Sequence, residues 1–340
     1  MTSLEYPHST LLATRIIDFG PVARNMGRVR DITPTPVLAV VKADCFGHGA
    51  IEVATTALES GAPWLGVATV HETLVLRSAG ITPPVLCWLA DPWCDLRAAV
   101  AAGLTISGAN IETLEAIAAL GDAAEVHLEL DTGMARGGAP VWAWGILFAT
   151  AIASLWVRST GLWSHLALAA NAKPEATKEQ VQACDRGIDR ARELGLKLGI
   201  LHLANSAGAL EHPDTWCELV RCGAALYGIE TDIGRIHGLE PAIRVVSRVT
   251  QLKRVAASTG VSDNHAWVAS TDTTLVPVGY GIPRDLSHGD GVALLGLPDD
   301  GEPDSQEWAA VTGTVAHETF TGLGGRMARR RTNQTKGTLS

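Results

Sequence analysis

The 340-residue sequence has no excess of basic residues: 27 lysines and arginines stand against 36 aspartates and glutamates, for a net charge of -9. A nucleic-acid-binding surface needs clustered positive charge to neutralise phosphates, so this composition argues against such a partner. One basic cluster lies near the C-terminus, and we interpret it as a solvated tail. Its members are Arg326, Arg329, Arg330 and Arg331.

The chain also lacks the patterns of a disulfide framework or a zinc site. Its six cysteines form no CxxC pair, and no histidine lies at a spacing suited to zinc. The N-terminus has neither the basic start nor the apolar core of a secretory signal. These absences predict reduced thiols, no metal site and a cytoplasmic location.

Charge is missing altogether from residues 139–157, a segment long enough for a membrane-spanning helix. The segment lies between two motifs that must share one fold, so we interpret it as a barrel helix with an apolar outer face and expect no membrane insertion. If neither a second domain nor a partner chain covers that face, it is an exposed patch.

What the sequence does contain is a regular alternation of strand and helix patterns, after a first strand at 11–18. Eight strands separated by helices predict an α/β fold with an N-terminal (β/α)8 TIM-type barrel, although periodicity alone does not distinguish it from an open doubly wound sheet. The eight candidate strands are 37–43, 64–69, 84–89, 104–107, 125–131, 158–165, 199–204 and 217–221.

The helical signal fades from about residue 236, where short alternating segments are separated by Gly, Asp and Pro turns. We therefore divide the chain into a barrel over 12–235 and a smaller C-terminal β domain over 236–340, together with 1–11. The first strand is a further candidate for the β domain.

The stretch VLAVVKADCFGHG, residues 37–49, places Lys42 where a buried strand ends. A lysine there loses hydration, so its pKa should fall and its free amine becomes available as a nucleophile or base. Taken alone, the residue is equally well explained as a lysine that reaches solvent at the sheet edge.

The motif favours the first interpretation, since VVKADCFGHG resembles the VVKANAYGHG stretch of alanine racemases, whose lysine carries pyridoxal phosphate. Further segments resemble successive motifs of that family, in the family's order, over residues 35–284. They are HLELDTGMARGG, WSHLALA, HLANSAG, RCGAALYG and VPVGYG. The resemblance implies a pyridoxal phosphate-binding barrel and a homodimer with shared active sites.

The resemblance also assigns catalytic roles. Lys42 carries the cofactor and acts as one base, and Tyr280 matches a second base that the family contributes from the partner subunit. His165 matches the histidine that links this tyrosine to Arg221. Because an arginine keeps its proton, Arg221 facing the pyridine nitrogen would weaken the ring as an electron sink and limit side reactions such as transamination.

The remaining assignments concern binding. Arg136 is a candidate to fix a substrate carboxylate or the cofactor's phenolic oxygen through its rigid fork. A phosphate can be cradled at the loops after strands seven and eight, as in many such barrels. The residues matched to cofactor contacts, besides Lys42 and Arg221, are His202, Asn205, Ser206, Gly223 and Ala224.

Several positions depart from the family. Phe46 and His317 stand where the family has two phosphate-binding tyrosines, so two hydroxyl donors are missing. Glu129 replaces a lysine, often carbamylated, that braces the arginine at Arg136, and its carboxylate can supply a similar charge. After Tyr280 the chain also lacks the GRxxMDQ segment that closes the family's pocket from the partner chain.

These observations predict a pyridoxal phosphate-dependent amino-acid racemase, an isomerase that interconverts L- and D-alanine or a related amino acid. Lys42 and Tyr280 flank the two faces of the α-carbon, so that one takes a proton and the other returns one. Two alternatives stay open. The same scaffold could act on another amino acid or catalyse another α-carbon reaction such as retro-aldol cleavage, or it could bind the cofactor without turnover.

Overall fold

A computed structural model of the chain describes residues 13–170, 174–230, 237–249, 251–261, 267–275, 291–298, 302–314, 316–321, 323 and 327–332. The strands are Ala13–Asp18 (β1), Val37–Val40 (β2), Trp64–Thr69 (β3), Val85–Leu89 (β4), Leu104–Gly108 (β5), Ala124–Glu129 (β6), Val157–Trp163 (β7), Ile200–His202 (β8), Val220–Cys222 (β9), Ile243–Arg248 (β10), Lys253–Val255 (β11), Gly260–Val261 (β12), Trp267–Val268 (β13), Thr273–Leu275 (β14), Gly291–Leu295 (β15) and Ala328–Thr332 (β16).

Helices connect most of these strands. They are Phe19–Ile32 (α1), Lys42–Gly47 (α2), Ala50–Glu59 (α3), Val70–Ser78 (α4), Leu96–Ala101 (α5), Ile111–Ala118 (α6), Trp144–Ala153 (α7), Pro174–Glu193 (α8), Ser206–Glu211 (α9), Ser305–Thr312 (α10) and Ala316–Thr321 (α11).

Strands β2 to β9 form one parallel eight-stranded sheet that runs in chain order from β2 to β8, with β9 on the other side of β2. The two end strands meet through backbone hydrogen bonds from Glu218 N to Leu201 O and from Arg221 N to Ala204 O, both 3.0 Å. This arrangement confirms the barrel, because a doubly wound sheet would reverse its strand order part-way. The carboxyl ends of all eight strands therefore lie at one face.

A second, mostly antiparallel sheet has the order β15-β10-β1-β16. Strand β1 lies in its middle, antiparallel to β10 and parallel to β16. The first strand thus joins this sheet and does not join the barrel. The division of the chain at residue 236 stays a prediction.

The arginine cluster near the C-terminus is not a solvated tail, and that interpretation was wrong for residues 329–331. These residues form most of β16, where successive side chains alternate between the two faces. Arg329 forms a 2.9 Å ion pair with Asp44, and Arg331 pairs with Glu52. Arg326 lies outside the described residues.

The uncharged segment 139–157 contains helix α7, which buries Leu147 and Phe148 against the barrel. The outer face of this segment is apolar, as the sequence predicts. Trp142, just before helix α7, is 85% exposed, and Ile146 within the helix is 54% exposed. Within the part of the chain that the structure describes, no helix has the length and hydrophobicity needed to cross a bilayer.

Candidate active site

The element α2, Lys42–Gly47, which follows β2, is not a regular helix but a turn with an unusual backbone. Residues 43–46 have φ values of 52°, 51°, 53° and 55°, so four consecutive non-glycine residues adopt the left-handed conformation. That conformation costs roughly 1–2 kcal/mol per residue, because the β-carbon crowds the following carbonyl oxygen. Strained backbone persists only where surrounding contacts enforce it, and it clusters at functional sites.

Three contacts hold this turn. Glu72 Oε1 accepts a hydrogen bond from the Ala43 N–H (2.8 Å), and Asp44 Oδ1 accepts one from the first N–H of helix α3 (3.0 Å). Beneath the turn, the buried Tyr227 hydroxyl donates to the carbonyl oxygen of Val40. The backbone on both sides of the lysine is therefore fixed.

The half-buried Lys42 side chain extends over Trp88, with Nζ 5.8 Å from the ring centroid. Burial lowers the pKa of Lys42, and the positive charges of Arg136 and Arg221 lower it further, whereas Glu72 raises it. A lower pKa increases the fraction of free amine at neutral pH, which is the form that can act as a nucleophile or base.

Arg221 lies in the barrel mouth with only 3% of its surface exposed. Nη2 donates to the carbonyls of Ser164 (2.8 Å) and Leu203 (3.1 Å), and Nη1 donates to the carbonyl of His202 (3.0 Å). The guanidinium lies 4.9 Å from the Trp163 ring centroid. Burial lowers the pKa of Arg221 to about 10, so the side chain is still a cation at neutral pH.

Two histidines contact the same guanidinium. Arg221 Nη1 lies 2.9 Å from His202 Nδ1, and Nη2 lies 3.3 Å from His165 Nδ1. Burial and the neighbouring arginine lower the pKa of His202 well below its ordinary value, and they lower the pKa of His165 to about 3. Nη2 has two hydrogens and three acceptors, so its contact with His165, the longest of the three, shares a hydrogen with a carbonyl. Because a guanidinium can only donate, both Nδ1 atoms accept and each neutral imidazole carries its hydrogen on Nε2.

Ser206 and Gly223 meet at the loops after strands β8 and β9. Ser206 Oγ accepts hydrogen bonds from the N–H groups of Gly223 (3.2 Å) and Ala225 (3.3 Å). Ala224 is the first residue of a short 3₁₀ helix that ends at Tyr227. Asn205 caps helix α9 through its side-chain oxygen. The N–H groups of Gly223 and Ala225 are bonded to Ser206, which leaves the Ser206 O–H as a donor where the sequence predicts a phosphate.

Arg136 and Glu129 lie on the strand β6 side of the mouth. Arg136 is exposed, and within the described residues it forms no ion pair with Glu129. Glu129 Oε2 instead accepts a 3.3 Å hydrogen bond from Ser107 Oγ. Burial raises the pKa of Glu129 to about 7, against smaller opposing effects of Ser107, Arg221 and Arg136. The expected direct brace between the two side chains is not formed here.

Comparison with known proteins identifies the family to which the chain belongs. A family profile described as alanine racemase, N-terminal domain, matches residues 17–231. The chain belongs to the alanine racemase family. The curated alanine racemase of Salinispora arenicola is 36% identical over 91% of this chain and 95% of its own length. That of Frankia casuarinae is 38% identical over 86% and 89%.

Solved alanine racemases have the same fold. The enzyme from D-cycloserine-producing Streptomyces lavendulae has a TM-score of 0.86 at 30% identity and covers 97% of this chain and 99% of its own. The Streptomyces coelicolor enzyme has a TM-score of 0.85 at 32% identity, with 96% and 99% covered. The predictions of a racemase, an isomerase and a pyridoxal phosphate-dependent family are confirmed.

The donors of this racemase fit that cofactor. Lys42 supplies an amine of lowered pKa, and the two terminal nitrogens of Arg221 are bound to protein acceptors, which leaves its Nε–H for a ring nitrogen. A β-carbon on Gly223 would lie 3.1 Å from the Val40 side chain, so glycine keeps the backbone close to the strand end. Lys42 would hold the cofactor's aldehyde carbon, Arg221 its ring nitrogen, and Ser206 together with the Gly223 backbone its phosphate.

Not every assigned residue can be placed. Tyr280 and the stretch that follows it lie outside the described residues, as does the side chain of His317 in helix α11. Phe46 lies in the strained turn, with its ring edge-on to Tyr227 at a centroid distance of 5.5 Å. Among the described residues, the structure brings the others together at the carboxyl ends of the strands, and their roles stay proposals.

Sequence reasoning missed several residues at this site. Trp163 lies under Arg221 and parallel to His202, with 6° between the two rings, and its Nε1 donates to Ser107 Oγ (3.1 Å). Trp88 lies under Lys42. The signal was available, because both tryptophans lie at the ends of predicted strands, where we considered only titratable and hydroxyl side chains.

Proposed function

We propose that this racemase interconverts L- and D-alanine, with Lys42 and Tyr280 as bases on opposite faces of the α-carbon. The observation that carries the proposal is the joint position of Lys42 and Arg221 in one barrel mouth, together with the hydrogen bond that fixes His165 against Arg221. The curated relatives are named alanine racemases, which supports alanine as the substrate.

Lys42 supplies a covalent anchor and a base. When bound, pyridoxal phosphate withdraws electrons from the α-carbon of an attached amino acid and so acidifies its α-hydrogen. Arg221 retains its own proton and would therefore not protonate the ring nitrogen that it would hold. This limits the electron withdrawal and favours simple return of a proton over transamination.

His165 prepares the second base. Because Arg221 donates to His165 Nδ1, the imidazole hydrogen lies on Nε2 and can be donated to the phenolate oxygen of Tyr280. A tyrosine with its ordinary pKa of about 10 is mostly protonated at neutral pH and is a poor base. A hydrogen bond donated to the phenolate oxygen favours the deprotonated tyrosine, which is the form that can act as a base. His165 itself stays neutral, since its pKa is lowered to about 3.

Arg136 and the loop donors fix the ends of the substrate and cofactor. The exposed Arg136 fork suits a carboxylate, and its charge acts on both Lys42 and His165. The Ser206 hydroxyl, held by the N–H groups of Gly223 and Ala225, suits a phosphate dianion through its own hydrogen.

We further propose that the racemase is a cytoplasmic homodimer with shared sites. The family contributes the tyrosine from the partner subunit, and all six cysteines of this chain are free thiols. Reduced thiols are typical of cytosolic proteins.

Borohydride reduction of the loaded enzyme followed by peptide mapping tests the anchor. The pyridoxyl label should be recovered on Lys42, and Lys197→Ala, which changes an exposed lysine, should not alter its yield. Label on another lysine, or the absence of label from wild-type protein, contradicts the assignment.

Solvent deuterium exchange tests the two bases. Tyr280→Phe should sharply slow exchange into L-alanine while exchange into D-alanine by Lys42 continues. Mixing this variant with Lys42→Ala under conditions that exchange chains should restore some activity, because one site of the heterodimer then has both bases. Normal exchange of both enantiomers in Tyr280→Phe refutes the two-base reading, and mixing without recovery refutes the shared site.

A further inference from the structure

Behind Arg221, a chain of hydrogen bonds runs into the barrel interior and ends at His127, a residue that the proposed reaction does not use. Arg221 Nη1 lies 2.9 Å from His202 Nδ1, and His202 Nε2 lies 2.8 Å from His127 Nδ1. All three side chains are buried, with exposures of 3%, 1% and 0%.

With His127 present as an acceptor, the arginine and His127 together set the direction of each bond in this chain. A guanidinium has only donors, so His202 Nδ1 must accept and the hydrogen of this neutral ring lies on Nε2. His202 Nε2 then donates to His127, whose Nδ1 accepts and whose own hydrogen lies on Nε2. That last atom is buried and has no hydrogen-bond partner among the described residues.

Both rings are neutral, as this direction requires. Burial lowers the pKa of His127 to about 4, and burial with the adjacent arginine holds the pKa of His202 well below its ordinary value. A protonated ring at either position would place two donors against each other next to a buried cation.

The fold reserves a place for the His127 ring. A β-carbon added to Gly161 on the neighbouring strand would lie 2.5 Å from His127 Cδ2, so the ring fills the space that this glycine leaves. The Trp64 ring packs on it with centroids 5.4 Å apart. An apolar residue would fill the same space without leaving a buried N–H unsatisfied, so burial alone does not explain a histidine here.

We propose that His127 is a positioning residue for the racemase, which acts by accepting the hydrogen of His202 and thereby keeps the opposite His202 lone pair directed at Arg221. The inference rests on the proposed role of Arg221 toward the cofactor ring. Without an acceptor at position 127, His202 must either bury an unsatisfied Nε2–H or carry its hydrogen on Nδ1, where it would oppose Arg221 donor to donor. Either result weakens the contact between His202 and Arg221.

Nitrogen-15 NMR of the cofactor-free protein, labelled at histidine, measures this directly. In wild type, His127 and His202 should both carry hydrogen on Nε2, and both should stay neutral at pH 6. Assignment uses the resonances lost in variants. Hydrogen on Nδ1 of either ring, or an imidazolium at pH 6, overturns the proposal.

Two substitutions separate positioning from packing. His127→Asn places an amide oxygen near the original Nδ1 and should keep the His202 tautomer, whereas His127→Leu fills the space without an acceptor. His127→Leu should lose the tautomer, shift the absorbance of the bound cofactor and lower kcat by roughly 10- to 100-fold, the equivalent of one lost buried hydrogen bond partner. His71→Asn, at an exposed histidine, should change none of these readouts.

The outcomes distinguish this proposal from the proposed function. If His127→Leu and His127→Asn lower kcat equally while the His202 tautomer persists in both, the histidine only packs and the proposal is wrong. If the tautomers behave as predicted but the enzyme does not racemise alanine, the hydrogen-bond chain is supported and the substrate assignment fails.

Discussion

Replacing Glu72 with glutamine tests how the strained turn after Lys42 is held. One carboxylate oxygen of Glu72 accepts the Ala43 N–H at 2.8 Å, and the other accepts the N–H groups of Ala68 (2.7 Å) and Thr69 (3.1 Å) in the capping box of helix α4. A glutamine keeps only one oxygen, which the capping box can retain. Its amide group then meets the Ala43 N–H donor to donor.

The expected loss follows from that single contact. A hydrogen bond to a charged acceptor contributes roughly 1.5–3 kcal/mol when buried, and Glu72 is half-buried, so we expect a loss of about 1–2 kcal/mol. The substitution also removes the charge that raises the pKa of Lys42, so that pKa should fall further and the free amine should form at lower pH.

Two measurements follow these effects separately. Urea denaturation of the cofactor-free protein gives the loss of stability, and the pH dependence of pyridoxal phosphate attachment to Lys42, followed by absorbance, gives the shift of the amine's pKa. The matched control is Glu307→Gln, at the same position of the capping box of helix α10 and without a contact to the lysine turn.

If Glu72→Gln and Glu307→Gln lower the stability equally and the attachment profile does not move to lower pH, Glu72 only caps its own helix. The reasoning about the turn would then be refuted.

Three further outcomes are expected. Because the folded-state pKa of Glu129 is raised to about 7 from an ordinary 4.5, the free energy of unfolding should fall as pH rises between these values, by up to roughly 3 kcal/mol. Glu129→Gln should remove this pH dependence, which urea titrations at pH 5 and pH 8 measure. Phe46→Tyr should restore a phosphate donor and tighten the cofactor dissociation constant about fivefold, the equivalent of about 1 kcal/mol; an unchanged constant would show that another group already serves the phosphate. Arg329→Ala should cost less than about 1 kcal/mol in 0.15 M salt, since its pair with Asp44 is exposed, and a larger loss would show that the pair holds the lysine turn.

The features of this molecule that can be predicted from sequence are those determined by local patterns of apolar and polar residues. A short apolar run ending in lysine identified strand β2, and repetition of strand and helix identified the barrel, because each strand is buried on both faces and each helix on one. Site residues such as Arg221 and Ser206 could be found because barrel chemistry lies at strand ends.

Other features depend on what folds against them. The left-handed turn at residues 43–46 contains no glycine or asparagine, and a single aspartate, Asp44, does not indicate positive φ at four consecutive residues. The arginines of β16 resemble a solvated run until strand β1 pairs with them. His127 lies in a strand that reads as ordinary core, and its hydrogen-bond partner His202 is distant in sequence.

The position of strand β1 also determines the order in which the two sheets can form during translation. The barrel strands are all made after β1 and before β10, so the ribosome must add more than two hundred residues, over roughly 10–45 s, before β1 meets a partner. The barrel can close in that interval, but Asp44 and Glu52 gain their arginines only when β16 emerges. A nascent chain halted before β16 should therefore contain a folded barrel in which Asp44 and Glu52 lack their arginine partners.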